Sequence, residues 1–320
     1  MSTKKVLVTG AAGFIGFHTC IALKQRGGFV IGLDNYNDYY IPQLKYDRAA
    51  YLARKGIEVV KGDINDKAML AEIIKKHGIT HIIHLAAQAG VRYSLSNPEA
   101  YVKANLEGFL SVLELCRANP HIPLVYASSS SVYGLNDKIP FSEQDRTDRQ
   151  ASLYGVTKKS NELMAQTYHH LFGISVCGLR FFTVYGPWGR PDMAYFSFVK
   201  AILAGESIDL FNHGQLQRDF TYIDDIVAGI LAALDKSFAC EVFNLGNHKS
   251  VELKRFVQVI EESLGQKAKI NSVPMQSGDV LKTYADIAHS RQLLGFNPQT
   301  SLEEGIPKFV EWYKEYYKSA

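Results

Sequence analysis

Tyr154 and Lys158 stand four residues apart in "SLYGVTKKS", a spacing that puts both side chains on one face of a helix. A phenol with a pKa near 10 is a poor base at neutral pH, and bringing it to 7 takes about 3 units, or about 4 kcal/mol. A neighbouring ammonium supplies roughly 1–3 of those units. Upstream, "ASSSSVYG", Ala127–Gly134, sets four hydroxyls in a row just after the apolar run Pro123–Tyr126. A tuned phenol beside hydroxyls can take the proton from an alcohol while a hydride leaves for a nicotinamide carrier. In isolation the Tyr–Lys pair is better read as a surface Tyr and Lys on an amphipathic helix; its chemistry depends on where the fold puts it.

The hydride carrier has its own signal. "VLVTGAAGFIG" runs from an apolar strand through Gly10, Gly13 and Gly16 into a helical pattern. Gly10 permits the tight turn, Gly13 lets the backbone approach a pyrophosphate, and Gly16 lets the helix pack on the sheet, with the helix N-terminus facing the anion. Phe14 and Ile15 fall at that helix start, beside the expected cofactor. The spacing departs from G-x-G-x-x-G, and glycines also serve plain turns. The next strand ends "IGLDNYN", so that Asp34, followed by Asn35, falls about 20 residues on, where a carboxylate accepts from an adenosine ribose. An acid with no adjacent arginine favours NAD over NADP.

These residues need a scaffold. Short apolar runs at Val6–Val8, Phe29–Leu33, Glu58–Lys61, His81–Leu85, Pro123–Ala127 and Ser175–Leu179 alternate with helical patterns at Phe14–Arg26, Asp66–His77, Pro98–Arg117 and Leu153–Phe172. Continuous apolar strands suit a parallel sheet covered on both faces, and the alternation predicts a doubly wound, Rossmann-type α/β fold. From "YGPWGRPD" onward the texture is less regular, which predicts a smaller α/β lobe over residues 181–320 after a dinucleotide-binding domain over 1–180.

With 320 residues, 47% of them hydrophobic, and a net charge of only +3, the chain can bury a large core and lacks the basic stripe that nucleic acid needs. No window approaches the roughly 20 apolar residues of a membrane span, and the apolar run of the opening segment is broken by Thr9 and Gly10 before it reaches the length expected of a secretory signal core. Cys20, Cys116, Cys177 and Cys240 are scattered, which predicts reduced thiols and a cytoplasmic protein. His81 and His84 are three apart on a strand and point to opposite faces, so no metal site is expected.

Taken together, "TGAAGFIG", "LDNYN", "GDI" at Gly62–Ile64, "SSSSVYG" and "YGVTK" resemble the extended short-chain dehydrogenase/reductase family of nucleotide-sugar enzymes over nearly the whole chain. The resemblance implies a bound, recycled NAD and a C-terminal lobe that takes a nucleoside diphosphate sugar. It implies that Ser129 joins Tyr154 and Lys158 in catalysis, that Asp63 and Ile64 meet the adenine, and that Ala86 and Asn105 line the cofactor. It also implies a homodimer through a four-helix bundle built from Tyr101–Arg117 and Leu153–Phe172.

Within that family, dehydratases carry an Asp-Glu pair and decarboxylases a Glu before "VYG", where this chain has Ser130 and Ser131. With only Tyr154 to move protons, the expected chemistry is oxidation and re-reduction at one carbon, an epimerisation. "AAQAGVRYS" and "FFTVYGPWGRPDMAYFSF" are similar to the UDP-glucuronate 4-epimerase branch, and Thr183 stands where UDP-glucose epimerases carry Asn. Arg190, and secondarily Arg92, are the expected partners of a uronate carboxylate. By the same resemblance Arg218 meets the diphosphate, Phe211 the uracil and Asp279 the uridine side, with Gln276 in place of a common arginine. The alternatives are a UDP-glucose or UDP-N-acetylhexosamine 4-epimerase, a UDP-glucuronate decarboxylase, and an NAD-binding regulator without turnover.

Overall fold

The computed structural model describes residues 4–275 and 281–318. Six strands, β1 (Lys5–Thr9), β2 (Phe29–Asp34), β3 (Glu58–Lys61), β4 (His81–His84), β5 (Leu124–Ser129) and β6 (Val176–Phe181), pair parallel in the order β3-β2-β1-β4-β5-β6. The remainder adds β7 (Thr183–Tyr185), β8 (Ser207–Phe211), β9 (Gln217–Arg218), β10 (Phe220–Tyr222), β11 (Cys240–Leu245), β12 (Val251–Glu252) and β13 (Lys269–Val273). Strand β11 returns to pair parallel with β6 and makes the sheet seven-stranded, so the late chain completes the early sheet. The strand pairs β7–β10, β8–β13 and β9–β12 stand outside that sheet.

The period of two along the strands builds two cores. Val6 and Val8 face one buried cluster and Leu7 the other, and Val125 is likewise set apart from Leu124 and Tyr126. Strand order reverses direction between β1 and β4, and in open α/β sheets that switch point opens a crevice beyond the carboxyl ends of the strands. Gly10 lies at that edge with φ +72°, and a Cβ on it would sit 2.7 Å from the Ala86 amide nitrogen. A Cβ on Gly16 would meet the Gly10 carbonyl at 2.1 Å, so strand, turn and helix Phe14–Gln25 close up only with glycine at both positions.

Helix Leu153–Phe172 starts where the Ser152 hydroxyl accepts from the Gly155 amide at 3.1 Å and stops at Gly173, φ +67°. Its docking is set by a buried ion pair: Arg180 of β6 donates Nε and Nη2 to the Glu162 carboxylate at 2.8 and 2.9 Å. The Ser128 hydroxyl donates to the same carboxylate at 2.6 Å.

The single helix expected over Pro98–Arg117 is instead an α turn, Pro98–Tyr101, a π-helical stretch, Val102–Glu107, and an α-helix, Gly108–Ala118. The widened turn brings Asn105 inward, where its side chain accepts from the Gln88 amide at 2.8 Å and donates to the Gln88 carbonyl and the Thr157 hydroxyl at 3.0 Å each. A further helix, Gln43–Arg54, lies between β2 and β3. The two strand histidines have local partners, His84 with the Thr9 hydroxyl and His81 with that of Thr80, both at 2.8 Å. Among the described residues no helix is long and apolar enough to cross a membrane.

Candidate functional site

A cavity of about 1640 Å³ opens at the switch point, larger than the ~300–1,000 Å³ of an ordinary ligand pocket. Its wall on the β1–β2–β3 side carries Gly10, Gly13, Phe14, Ile15 and Gly16 from the turn after β1, then Asp34, Asn35, Asp63 and Ile64. Ala86 follows β4. The turn after β5 and the following helix bring Ser129, Ser130, Ser131, Tyr154 and Lys158 to the same cavity. Arg92 comes from the segment after β4, and Thr183, Arg190, Phe211 and Arg218 from the second part of the chain. Two expected residues stand apart. Asp279 lies outside the described residues, as does Gln276. Asn105 is buried behind the wall, its amide spent on Gln88 and Thr157.

At the dinucleotide end, Asp34 accepts from the Ala12 amide at 3.0 Å and the Tyr36 amide at 2.9 Å. Burial pushes its carboxyl up, against those two hydrogen bonds and the charges of Lys45 and Arg48. Each carboxylate oxygen retains acceptor capacity, as a ribose diol requires. Asn35 donates to Asp63 at 3.1 Å and Asp63 takes the Asn65 amide at 2.9 Å, so β2 and β3 present one polar ledge. A cradle in which Cβ atoms at positions 10, 13 and 16 would strike backbone, followed by this acid, fits a dinucleotide's pyrophosphate and ribose. The sequence reading missed Lys45. It is buried on helix Gln43–Arg54, donates to the Asn37 carbonyl at 2.7 Å, and is pulled down to about 8 by burial. No local motif marks it, since it reaches Asp34 only through that helix.

At the reacting end, Lys158 is buried with its ammonium on the Ala127 carbonyl at 2.8 Å. Burial lowers its pKa to about 8, and Glu162 one turn along opposes that. Burial raises the Tyr154 phenol, opposed by a hydrogen bond to Ser129 and by the charge of Arg190. The Ser129 hydroxyl also accepts from the Ser131 amide at 3.1 Å, which folds the chain into the tight turn Ser130–Tyr133. The four serines thus divide. Ser128 serves the Glu162 ion pair, Ser129 the turn and the phenol, and Ser130 and Ser131 face the cavity.

Arg190 is bidentate on Asp192, with Nε 3.0 Å from Oδ1 and Nη2 on Oδ2. Tyr39, reaching across from the loop after β2, donates to the same carboxylate at 3.0 Å. The fork expected to clamp a substrate carboxylate therefore already holds a protein one. Arg92 stacks over Phe211, guanidinium carbon 5.0 Å from the ring centre, closing the distal part of the cavity. Tyr39 and Asp192 went unread in the sequence because they are 153 residues apart.

Comparison with known proteins agrees with this geometry. A UDP-glucuronate 4-epimerase of Arabidopsis thaliana, isoform 4, is 54% identical over 330 aligned residues, covering 98% of this chain and 76% of its own. The crystal structure of UDP-glucuronic acid 4-epimerase from Bacillus cereus, in complex with UDP-glucuronic acid and NAD, superposes with a TM-score of 0.91 at 35% identity, covering 98% of this chain and 100% of that one. UDP-glucose 4-epimerase from Thermotoga maritima, solved with UDP-glucose, gives a TM-score of 0.88 at 30% identity over 98% and 99% of the two chains. The sequence model of the NAD dependent epimerase/dehydratase family matches residues 6–246, and with a Gly-rich turn, ribose acid and Tyr–Lys pair in one cleft, the chain belongs to that family.

Proposed function

We propose that the protein interconverts UDP-glucuronate and UDP-galacturonate at C4 of the sugar. Bound NAD supplies the acceptor, and then the donor, of the C4 hydride. Tyr154 takes the C4 hydroxyl proton and returns it after the 4-keto sugar has turned over; Ser129 holds that hydroxyl and the phenol in line. Lys158 fixes the ribose side, while the positive charge that lowers the phenol's proton affinity comes from Arg190. Gly10, Gly13, Phe14, Ile15, Gly16, Asp34, Asn35, Asp63, Ile64 and Ala86 hold the dinucleotide, with Asn105 positioning the wall behind it.

One observation carries the choice of epimerisation: the turn beside Tyr154 offers hydroxyls and no carboxylate. Asp192 also lines the cavity, but its carboxylate is engaged by Arg190 and Tyr39, which lower its pKa against the effect of burial. A second acid or base for dehydration is thus missing from the described wall near the phenol. The uronate carboxylate falls to Ser130, Ser131 and Thr183, with Arg190 acting as a nearby charge. Donors that keep charge on that carboxylate oppose loss of carbon dioxide from the β-keto acid intermediate. Arg218 and Phe211 in the lobe of residues 181–320, with Arg92 from the segment after β4, receive the nucleotide. The plant relatives and the Bacillus cereus complex support the uronate over a neutral sugar.

The same reading includes a homodimer. Val102 and Leu110 on one helical run, and Val156 and Leu163 on Leu153–Phe172, are exposed apolar residues, Leu163 at 52%. They supply the seam of a four-helix bundle. Four free cysteines fit a cytoplasmic setting.

The test is incubation of purified protein with UDP-glucuronate, followed by proton NMR, with UDP-glucose in a parallel tube. UDP-galacturonate without carbon dioxide release is expected. A pentose product, or turnover of UDP-glucose alone, would refute the assignment.

A further inference from the structure

Arg48, on helix Gln43–Arg54, is 0% exposed, and none of its hydrogen bonds goes to a carboxylate. Nη1 donates to the Ala12 carbonyl of the Gly-rich turn at 3.0 Å and to the Tyr40 hydroxyl at 2.8 Å. Nη2 donates to the Trp188 carbonyl at 2.6 Å and the Gly189 carbonyl at 3.1 Å, and Nε to Trp188 again at 3.2 Å. His18, on the helix that follows the Gly-rich turn, meets the Pro187 carbonyl through Nε2 at 2.9 Å. Burial lowers His18 to about 4, so its ring is neutral and Nε2 carries the donated proton. Three consecutive carbonyls of the 187–189 turn are thus captured by the dinucleotide side of the cleft.

That turn is strained to make the capture. Trp188 sits at φ +59°, a region a bulky side chain occupies only when its surroundings enforce it. Its ring is wedged against Phe17, Trp312 and Tyr316, with centroids 5.2–5.3 Å apart. Immediately beyond, Arg190 and Asp192 reach over to Tyr39, and Tyr39, Tyr40, Arg190 and Asp192 all line the cavity. The two walls that flank the dinucleotide site therefore meet at one buried guanidinium.

We infer that Arg48 is a positioning residue for cofactor retention: its fork locks the 187–189 turn onto the Gly-rich turn, and the cleft cannot part to release NAD until that fork lets go. The inference rests on the NAD reading above. Retention has a chemical purpose, because an epimerase that lost its cofactor midway would strand a 4-keto sugar. A planar fork is required, since it must reach Ala12, Trp188 and Gly189 together; an ammonium at the same place is a point charge without that span.

The experiment is the rate of NAD release from loaded protein into a scavenging dehydrogenase, for wild type, Arg48→Lys, Tyr40→Phe and a control. The control is Val259→Ala, a core truncation at a residue 2% exposed in the second lobe. Arg48→Lys should release NAD at least tenfold faster than wild type. Tyr40→Phe, which removes one bond of the fork and remains readable if Arg48→Lys is insoluble, should give about threefold. The control should stay within twofold. Release from Arg48→Lys or Tyr40→Phe that is unchanged, or matched by the control at equal loss of melting temperature, would overturn the inference and leave the NAD assignment standing. Wild-type protein that binds no NAD would remove both.

Discussion

Replacing Lys158 with Met should make the protein more stable while stopping its chemistry. The ammonium is buried, and burial brings its pKa from 10.5 down to about 8. That gap corresponds to about 3 kcal/mol of cost for holding the charge at pH 7. The sign follows from proton counts. Between pH 8 and 10.5 the unfolded chain binds more protons at this site than the folded one, so wild-type stability rises with pH through that window. The cost is fully present below pH 8. By pH 9.5 about 2 kcal/mol of it is gone. Methionine has similar length and no charge; it forfeits the hydrogen bond to the Ala127 carbonyl, worth about 1.5–3 kcal/mol for a charged donor. The net gain at pH 7 is therefore about 0–2 kcal/mol, and the firmer quantity is its pH dependence. Urea unfolding of nucleotide-free wild type and Lys158→Met at pH 7 and pH 9.5 isolates it, because every other titrating group is common to both. The variant's advantage should shrink by about 2 kcal/mol at the higher pH, with epimerisation lost at both. An advantage that is constant with pH would refute the reasoning, because it would mean that the lysine is not a buried charge in the folded protein.

Two other perturbations test the scaffold around that lysine. Glu162→Gln leaves Arg180 buried without its anion, and should cost about 3–5 kcal/mol in urea unfolding. Acid should do the same, because Glu162 is held below the ordinary carboxyl range chiefly by Arg180. Its contribution is complete above the unfolded carboxyl pKa and lost as pH falls through the lower folded value. A loss under about 1 kcal/mol would show that the pair is hydrated. For the dimer, Leu163→Glu puts a charge in the exposed apolar seam and should halve the mass seen by light scattering at micromolar concentration without changing the circular dichroism spectrum. An unchanged mass would place any interface elsewhere.

The legible parts of this site are those whose chemistry is set by neighbours in the chain. Gly10, Gly13 and Gly16 announce the turn because their spacing is the geometry. Tyr154 and Lys158 share a face because a helix repeats every 3.6 residues, and Asp34 follows from the length of one β-α-β unit. The parts that escaped depend on pairs formed by the fold. Arg190 has the type and place of a carboxylate clamp, yet Asp192, two residues on, takes its fork and adds Tyr39 from the opposite wall. Asn105 has the position of a cofactor contact, but a local π-helical turn commits its amide to Gln88 and Thr157. Strand β11 could be read as a strand in a second lobe, and only its parallel pairing with β6 makes it part of the first sheet.

These long-range pairs also decide how the phenol is tuned. The pulls that oppose burial at Tyr154 come from Ser129, the last residue of β5, and from Arg190 in the other half of the chain. Arg190 is held in place by the same turn whose carbonyls Arg48 and His18 capture. With Arg48 holding the cleft shut as inferred above, closing it over the dinucleotide and setting the acid–base group become one structural event. A chain that let its cofactor go would at the same moment move the charge that acts on its phenol, so an open cleft would be a poor catalyst as well as a leaky one.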